Sequence, residues 1–134
     1  MGFPKVFEYG NENGLNYMVI EILGPTLGDL FEICGKIFSL KTTLMIGMQL
    51  LSRLEELHNN HYLYRDIKPE NFLAGIYKNS STLYMIDVGL SKRYRDPRTL
   101  IHIPYKEDKN IIGTIRYSSV NSHLGIEESR RDDL

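Results

Sequence analysis

The eight-residue run YRDIKPEN, residues 64–71, restricts the fold more than any other part of this sequence. It is too polar for a strand of a buried sheet. Pro69 cannot lie inside a helix, because it has no amide hydrogen and its ring clashes with the preceding turn. The hydrophobic pattern predicts a long helix before the run and short strands on either side of it. The run is therefore a loop, either a solvated turn or a group of reacting side chains.

The composition is that of an ordinary globular chain. With 134 residues, 42% of them hydrophobic and 25% charged, the chain can build one domain with a hydrophobic core. Its 16 basic and 17 acidic side chains give a formal net charge of −1, which offers no support for a nucleic-acid partner. No apolar run reaches the length of a membrane span, and no signal peptide is recognisable. We therefore expect an intracellular protein, in the cytoplasm, the nucleus or both, that binds neither nucleic acids nor membranes.

The beginning of the sequence predicts a strand hairpin followed by a short helix. Residues 5–9 (KVFEY) alternate in the manner of a strand, residues 15–22 (LNYMVIEI) are rich in β-branched and aromatic side chains, and NENG between them is a turn signal. Thr26 is expected to cap a helix, with Asp29 as its capping-box partner. The single Cys34 excludes an internal disulfide, and because it follows the apolar run LFEI we expect a buried thiol.

A long helix is predicted from about residue 41 to residue 59, with Ser39 as its N-cap. Its buried face is expected to consist of apolar residues at spacings of three and four, namely Leu40, Leu44, Met48, Leu51 and Leu54. The short strands YLY, FLA and TLYMID follow. From DVGL to about residue 121 the chain is polar and without a clear period, which is typical of a functional or disordered segment. The final GIEESRRDDL opens in the manner of a helix.

Four polar side chains of this region have the chemistry of phosphoryl transfer. Asp66 can take a proton from an attacking hydroxyl, and Lys68 can offset charge on a phosphoryl group in flight. The amide oxygen of Asn71 can bind a hard divalent cation, and Asp87, at a predicted strand end, can be a second metal ligand. Asp-x-Lys-Pro or Asp-x-Gly alone is usually a turn. In this order, with a strand between them, the residues match the protein-kinase pattern and predict a magnesium-dependent phosphoryl-transfer site.

Two further motifs connect the chain with one kinase family. Residues 23–27 read LGPTL after the second predicted strand, and residues 119–121 read Ser-Val-Asn where most kinases have Ala-Pro-Glu. With YRDIKPENFL and IDVGLSKRYRDPRT, these motifs resemble casein kinase I from about residue 3 to residue 134. The resemblance implies an α+β, protein kinase-like fold. The chain would be a partial kinase domain, with the last small-lobe strands at 3–22, the hinge at 23–26 and the first half of the mainly helical large lobe at 27–134.

The resemblance also implies roles for individual residues. Asp66 would be the catalytic base, Lys68 would approach the transferred phosphate, and Asn71 and Asp87 would hold Mg²⁺. The residues expected to line the ATP site are Ile20, Glu21, Leu23, Asp29 and Leu73. The residues expected to have structural roles are Arg65, Gly89 and Asp133, of which Asp133 would brace the backbone of the catalytic loop.

The implied substrates are proteins with acidic or phosphorylated residues near the target serine or threonine. Between residues 92 and 116 the basic side chains outnumber the acidic ones, and such a local excess attracts anions even in a neutral chain. Lys109 and Arg116 match the family positions that bind a substrate phosphate or carboxylate, a task for which an arginine fork is suited. Most of the other basic residues are expected to be solvated, although KRYR also has the composition of a weak nuclear-import patch.

Two functions remain open at this level. The glycine-rich phosphate loop and the nucleotide-binding lysine of the family have no counterpart in the sequence, which predicts a domain truncated at both ends and inactive in isolation. The first function is that of a serine/threonine kinase that uses ATP and Mg²⁺. The alternative is a non-catalytic remnant that acts as a binding decoy or scaffold. The sequence does not indicate an oligomeric state.

Overall fold

The computed structural model describes residues 2–134, in which three two-stranded antiparallel sheets and three α-helices are found. The strands are β1 (Val6–Glu12), β2 (Leu15–Ile20), β3 (Tyr62–Leu63), β4 (Phe72–Ala74), β5 (Leu83–Met85) and β6 (Lys92–Arg93). The α-helices are α1 (Leu27–Ile33), α2 (Leu40–Asn59) and α3 (Val120–His123). Short 3₁₀ turns lie at Pro69–Asn71, Tyr77–Asn79, Val88–Leu90, Ile115–Tyr117 and Arg130–Asp133. No helix in residues 2–134 is long and apolar enough to cross a membrane.

The hairpin predicted at the beginning of the chain is present. β1 pairs with β2 from Val6↔Ile20 to Glu12↔Leu15, so the strand extends two residues further into NENG than the sequence indicated. The turn consists of Asn13 and Gly14, with φ values of 53° and 82°. Asn and Gly tolerate positive φ, and this pair matches the twist of antiparallel strands. The hairpin brings Ile20 and the residues after it to the next segment of the chain.

Residues 23–27 dock on β4 and start α1. Gly24 N–H donates to the carbonyl of Ala74 (2.7 Å), and Ala74 N–H donates to the carbonyl of Pro25 (2.9 Å). A Cβ at residue 24 would lie 3.0 Å from two backbone carbonyl oxygens, so this approach favours glycine. Thr26 accepts from Asp29 N–H while the Asp29 carboxylate accepts from Thr26 N–H. The predicted capping box is therefore confirmed.

Helix α2 begins at Leu40 with Ser39 as its N-cap, as predicted, but the prediction of its buried face was wrong. Leu40, Leu44, Met48 and Leu51 are exposed by 57–75%, and only Leu54 of that set is buried. The face that meets the core instead includes Arg53 and His58, with Ile46, Leu50 and Leu57 packed against the cluster. Because α2 has apolar residues on two sides, spacing alone cannot show which side meets the core.

Cys34 is exposed, which corrects the prediction of a buried thiol. Helix α1 has seven residues, and only Leu27 of them is buried. Cys34 is the C-cap, where the chain leaves the helix axis, and Gly35 follows with φ 70°. The apolar residues before it, Phe31 and Ile33, are themselves exposed by 39% and 76%, so hydrophobicity along this run does not indicate burial.

The core lies under the polar loop of residues 64–71. The fully buried side chains are Leu63, Tyr64, Phe72, Met85 and Tyr94. Leu63, Phe72 and Met85 lie in β3, β4 and β5, whereas Tyr64 begins the loop and Tyr94 follows β6. Helix α2 packs on this part of the chain: the Arg53 Nε donates to the carbonyl of Leu83 (3.2 Å), and Leu83 N–H donates to the side chain of Gln49 (2.9 Å). The loop is thus held between a helix and a β-hairpin, which gives its polar side chains a rigid base.

The segment from residue 94 to residue 119 is irregular, as predicted, but the final residues are not an α-helix. Arg130–Asp133 forms a 3₁₀ turn. Ser129 and Asp132 form a capping box there, because Ser129 N–H donates to the Asp132 Oδ2 (2.8 Å). The Asp132 Oδ1 accepts from the Ser119 hydroxyl and from the Asn121 amide, each at 2.8 Å. This carboxylate therefore joins α3 to the last turn.

The pKa of Asp132 gives a pH-dependent stability. Burial raises this pKa, but the donors Asn121, Ser129 and Ser119, together with Arg131, outweigh burial and hold the pKa below its ordinary value. The carboxylate therefore stabilises the fold fully above its unfolded pKa of about 4 and ceases to do so as the pH falls through the lower folded value. We expect Asp132→Asn to be less stable than wild type at pH 7, with the difference shrinking below about pH 4.

Urea denaturation across this pH range measures the effect. Glu12→Gln is the matched control, because Glu12 is exposed at the end of β1 and its substitution removes the same charge. The control should stay close to wild type at every pH. A stability difference for Asp132→Asn that is constant from pH 7 to the acid end would contradict the role assigned to this carboxylate.

Candidate active site

Asp66 is the centre of a hydrogen-bonded cluster on the polar loop. Its side chain is 6% exposed. The Lys68 Nζ lies 2.7 Å from Asp66 Oδ2, and the Asn71 Nδ2 donates to the same oxygen (2.9 Å) and to the Asp66 backbone carbonyl (2.9 Å). The structure thus brings together three of the residues singled out in the sequence, all within one 3₁₀ turn and the residues before it.

Thr114 completes this cluster and was missed in the sequence. Its hydroxyl donates to Asp66 Oδ1 (2.8 Å) and accepts from the Lys68 Nζ (3.2 Å). The preceding Gly113 has φ 84°, and a Cβ there would lie 2.3 Å from the carbonyl oxygen of Arg65. The Gly-Thr pair was the sequence feature that could have indicated Thr114. Only glycine permits this close approach to the loop of residues 64–71, so the residue after it also lies next to that loop.

The electrostatics keep Asp66 ionised. Burial raises its pKa, but the hydrogen bonds from Lys68, Thr114 and Asn71 outweigh burial, so the pKa lies below its ordinary value. The hydrogen bond with Asp66 in turn raises the pKa of Lys68. The pair is therefore a carboxylate and an ammonium at neutral pH, and the carboxylate is ready to accept a hydrogen bond from a hydroxyl.

Asp133 holds the backbone that carries Asp66. It is 4% exposed, and its two carboxylate oxygens accept from the N–H groups of Tyr64 and Arg65, both at 2.8 Å. The His58 Nε2 lies 2.8 Å from Asp133 Oδ2. Arg65 has φ 70°, in the left-handed region, which costs on the order of 1 kcal/mol for a non-glycine residue. The Asp133 carboxylate offsets this cost by satisfying two successive N–H groups.

Asp87 lies at the same end of the β4–β5 hairpin as Asn71. Asn71 directly precedes β4, and its carbonyl accepts from Ile86 N–H (3.0 Å), the residue before Asp87. Asp87 is exposed, has φ 56°, and its Oδ1 accepts from Gly89 N–H (3.2 Å). The Tyr64 hydroxyl donates to the Ile86 carbonyl (2.5 Å), which fixes the backbone next to Asp87. Asp87 therefore follows a rigid strand and faces solvent.

Asn71 and Asp87 can supply only part of the oxygen ligands that Mg²⁺ needs. Both hydrogen bonds of the Asn71 side chain use Nδ2, and no residue in 2–134 donates to its Oδ1. That oxygen and the Asp87 carboxylate are ligands of the kind that Mg²⁺ prefers. Within the described chain there is no group of three or more His, Cys, Asp or Glu that could hold a metal ion. A metal here would thus complete its shell with water and with phosphate oxygens, as Mg²⁺ commonly does.

Of the residues expected to line an ATP site, Ile20, Glu21 and Leu23 lie at the end of β2 and in the segment after it. Leu73 lies in β4, on which that segment docks. Ile20 ends β2, and Glu21 N–H donates to the carbonyl of Lys5 (2.8 Å). Leu23 precedes the contact with β4, and Leu73 within β4 forms a bridge with Thr26. These residues form the edge on which β1–β2 meets the rest of the chain.

Asp29 has a structural task that is visible in the geometry. Its Oδ2 accepts from Thr26 N–H (3.0 Å) and from the Thr26 hydroxyl (2.7 Å). The side-chain hydrogen bond from Thr26, and then the backbone one, hold the pKa of Asp29 below its ordinary value. Asp29 also lines a groove of about 590 Å³ together with Pro69, Glu70 and Arg116.

The two expected anion-binding residues do not share a cavity. Lys109 lines a cavity of about 230 Å³ with Arg65, Lys92, Glu127 and Glu128, whereas Arg116 lines the groove beside Asp29. Lys92 was not singled out in the sequence, yet its Nζ lies 2.6 Å from the Glu127 carboxylate, which also pairs with Lys109 (3.4 Å). The sequence feature that could have indicated Lys92 was its position in the basic run SKRYR.

A comparison with known families agrees with this geometry. The family model described as the protein kinase domain matches residues 5–121, which is most of the chain. The chain therefore belongs to the protein kinase domain family. Members of this family generally use ATP and Mg²⁺, and they are kinases. The mixed helix and strand content of residues 2–134 fits a kinase-like fold.

Proposed function

We propose that the chain carries the catalytic loop of a serine/threonine kinase of casein kinase I type. It would transfer the γ-phosphoryl group of ATP to serine or threonine in acidic or phosphorylated proteins. The cluster of Asp66, Lys68 and Thr114 carries this proposal, because it places an ionised carboxylate, an ammonium and a hydroxyl within hydrogen-bond distance of one another. We expect a location in the cytoplasm, the nucleus or both.

The cluster suits phosphoryl transfer to a hydroxyl. The Asp66 carboxylate would accept the hydrogen bond of the substrate hydroxyl, orient it, and take its proton as the oxygen–phosphorus bond forms. Lys68 would offset the negative charge on the transferred group. Asn71 and Asp87 would supply the protein oxygens for Mg²⁺, which neutralises charge on the phosphates when bound. Thr114 keeps Asp66 and Lys68 in register by bonding to both.

The motifs that resemble casein kinase I have structural roles in this chain, which supports the subfamily assignment. In LGPTL, Gly24 allows the close approach to β4 and Thr26 caps α1. In Ser-Val-Asn, both Ser119 and Asn121 donate to Asp132, which lies in the 3₁₀ turn Arg130–Asp133. Residues of these motifs therefore make specific contacts within the fold. Coincidental matches of sequence would not be expected to make such contacts.

The cavity around Lys109 supports a preference for anionic substrates. Three basic side chains line it, those of Arg65, Lys92 and Lys109. Two acidic residues, Glu127 and Glu128, oppose these three, so the basic side chains are in excess. Burial raises the pKa of Glu128 above its ordinary value. Burial also raises the pKa of Glu127, yet Lys92 and Lys109 outweigh it and keep that pKa low. The cavity therefore has a net positive charge, which a phosphate or carboxylate of the substrate would complement.

Removing this charge should weaken binding of primed substrates. We expect Lys109→Gln to raise KM for a phosphoserine-containing peptide about 5- to 20-fold with little change in kcat, because one charge-assisted contact is lost. KM for the same peptide without phosphate should change less. Steady-state phosphorylation of the two peptides measures this.

Lys106→Gln is the matched control for this experiment. Lys106 is an exposed residue three positions earlier that does not line the cavity, so its substitution removes an equal charge from the same segment. Equal increases in KM for the two variants, or equal effects on the two peptides, would contradict anion recognition at Lys109.

A further inference from the structure

Three arginines lie beside Tyr94 in sequence or in space, and neither the active site nor the proposed anion-binding sites use them. We call Arg93, Arg95 and Arg130 the arginine patch. Arg93 pairs with Tyr62 in the β3–β6 sheet, and Arg95 follows two residues later in a bridge with His102. Arg93 and Arg95 flank Tyr94 in the chain, and Arg95 and Arg130 both lie against the Tyr94 ring. Tyr94 itself is 1% exposed.

Aromatic rings and neutral acceptors hold the patch in place. The Arg93 Nη2 donates to the Tyr62 hydroxyl (3.0 Å), and its guanidinium lies 5.3 Å from that ring. The Arg95 Nε donates to the His61 Nδ1 (2.8 Å). The Tyr94 ring has two guanidinium groups near it, those of Arg95 at 5.2 Å and Arg130 at 5.3 Å. Such contacts restrict the side chains without neutralising them.

The charge of the patch is not neutralised by ion pairs. No Asp or Glu in residues 2–134 forms an ion pair with Arg93, Arg95 or Arg130. The N–H groups of Thr99 and Arg98, both 2.8 Å from the Oδ1 of Asp96, hold the pKa of Asp96 below its ordinary value, and the charge of Arg93 adds to this from a longer distance. The patch therefore combines fixed geometry with positive charge that no ion pair neutralises.

We propose that the arginine patch is a docking site for an acidic, phosphoserine-containing segment of a protein partner. A guanidinium has five N–H donors, and Arg93 and Arg95 each use one in the hydrogen bonds above, so donors remain for a phosphate in bidentate geometry. Preorganisation by the rings lowers the entropy cost of binding. A net charge of −1 on the whole chain disfavours a long polyanion such as a nucleic acid, whose binding needs a more extended basic surface.

This site is separate from the transfer site. The residues of the patch do not line the cavity around Lys109 or the one beside Asp66. Docking there would hold a partner by one segment while another segment reaches Asp66, which raises its effective concentration. The docking itself does not depend on phosphoryl transfer, so a binding measurement tests it whether or not the chain transfers phosphate.

Fluorescence anisotropy with the full chain and a labelled peptide tests the proposal. The probe is a peptide with one phosphoserine flanked by glutamates, compared with its unphosphorylated form. We expect the double variant Arg95→Gln/Arg130→Gln to raise the Kd for the phosphopeptide about tenfold or more. The matched control is Arg98→Gln/Lys78→Gln, which removes two charges from exposed residues outside the patch and should change Kd less than twofold.

Two further variants keep the outcome decisive. Arg93→Gln removes one exposed arginine without touching Tyr94, and should raise Kd by a smaller factor even if the double variant unfolds. Lys109→Gln/Arg116→Gln should leave binding at the patch measurable. The proposal is overturned if only this last variant loses the phosphopeptide, if the matched control loses it equally, or if neither patch variant changes Kd. Tighter, patch-dependent binding of a single-stranded oligonucleotide would overturn the assignment of a protein partner.

Discussion

Asp66→Asn should lower kcat for phosphoryl transfer by about 10²- to 10⁴-fold, the range that a positioned general base contributes. The asparagine side chain has nearly the same shape, but it cannot accept the proton of the substrate hydroxyl. It also replaces one of the oxygens that now accept from Lys68, Asn71 and Thr114. The affinity for Mg²⁺ and ATP should change little, because Asn71 and Asp87 supply the oxygens proposed for the metal. Single-turnover kinetics together with nucleotide titration separate these effects.

Thr114 supplies the graded control for this experiment. Thr114→Val removes the hydroxyl that bonds both Asp66 and Lys68 and should reduce kcat about tenfold, whereas Thr114→Ser keeps the hydroxyl and should stay within a few-fold of wild type. If Asp66→Asn were as active as wild type, or if the valine and serine variants behaved alike, the cluster would not be the catalytic centre.

Asp133→Asn should destabilise the fold by about 2–4 kcal/mol, because it removes a buried carboxylate that satisfies two backbone N–H groups. One side-chain oxygen becomes an amide NH₂ group, which must face either the N–H of Arg65 or the N–H of Tyr64 together with His58. The loop that carries Asp66 should therefore loosen. The midpoint of urea denaturation measures the stability, and hydrogen exchange of the Tyr64 and Arg65 amides measures the local effect.

Glu12→Gln is again the control, since it removes one negative charge from an exposed position. It should change the free energy of unfolding by less than about 0.5 kcal/mol. An Asp133→Asn chain with the stability of the control and with protected Tyr64 and Arg65 amides would contradict the bracing role of this carboxylate.

What the sequence predicted well was local. Asp66, Lys68 and Asn71 lie within one short loop, so their proximity follows from their spacing, and the loop itself follows from Pro69. The caps Thr26 and Ser39 were also predictable, because a cap depends only on the next three residues. Asp87 was expected at a strand end. Strand β5 ends at Met85, and only Ile86 lies between that strand and Asp87.

What it could not predict depended on packing between distant segments. Thr114 contacts Asp66 across 48 residues of mostly irregular chain. Such a segment has no hydrophobic period from which the direction of a side chain could be predicted. The buried side of α2 was misjudged because the helix has apolar residues on two sides, and Cys34 was misjudged because a C-cap leaves the helix direction. The placement of Lys109 and Arg116 in different cavities likewise depends on how the segment folds, and it cannot be predicted from the number of basic residues.

The most direct test of the central claim is transfer of labelled phosphate from γ-labelled ATP to the phosphoserine-containing peptide, with identification of the modified residue. The assay uses the protein as it is isolated from cells, because the 134 residues alone have no counterpart of the glycine-rich loop and the nucleotide-binding lysine and are expected to transfer little. The account predicts Mg²⁺-dependent label on serine or threonine, lost with a chelator and reduced at least 100-fold in Asp66→Asn. A folded wild-type protein that transfers no label to the peptide above the level of Asp66→Asn would contradict it.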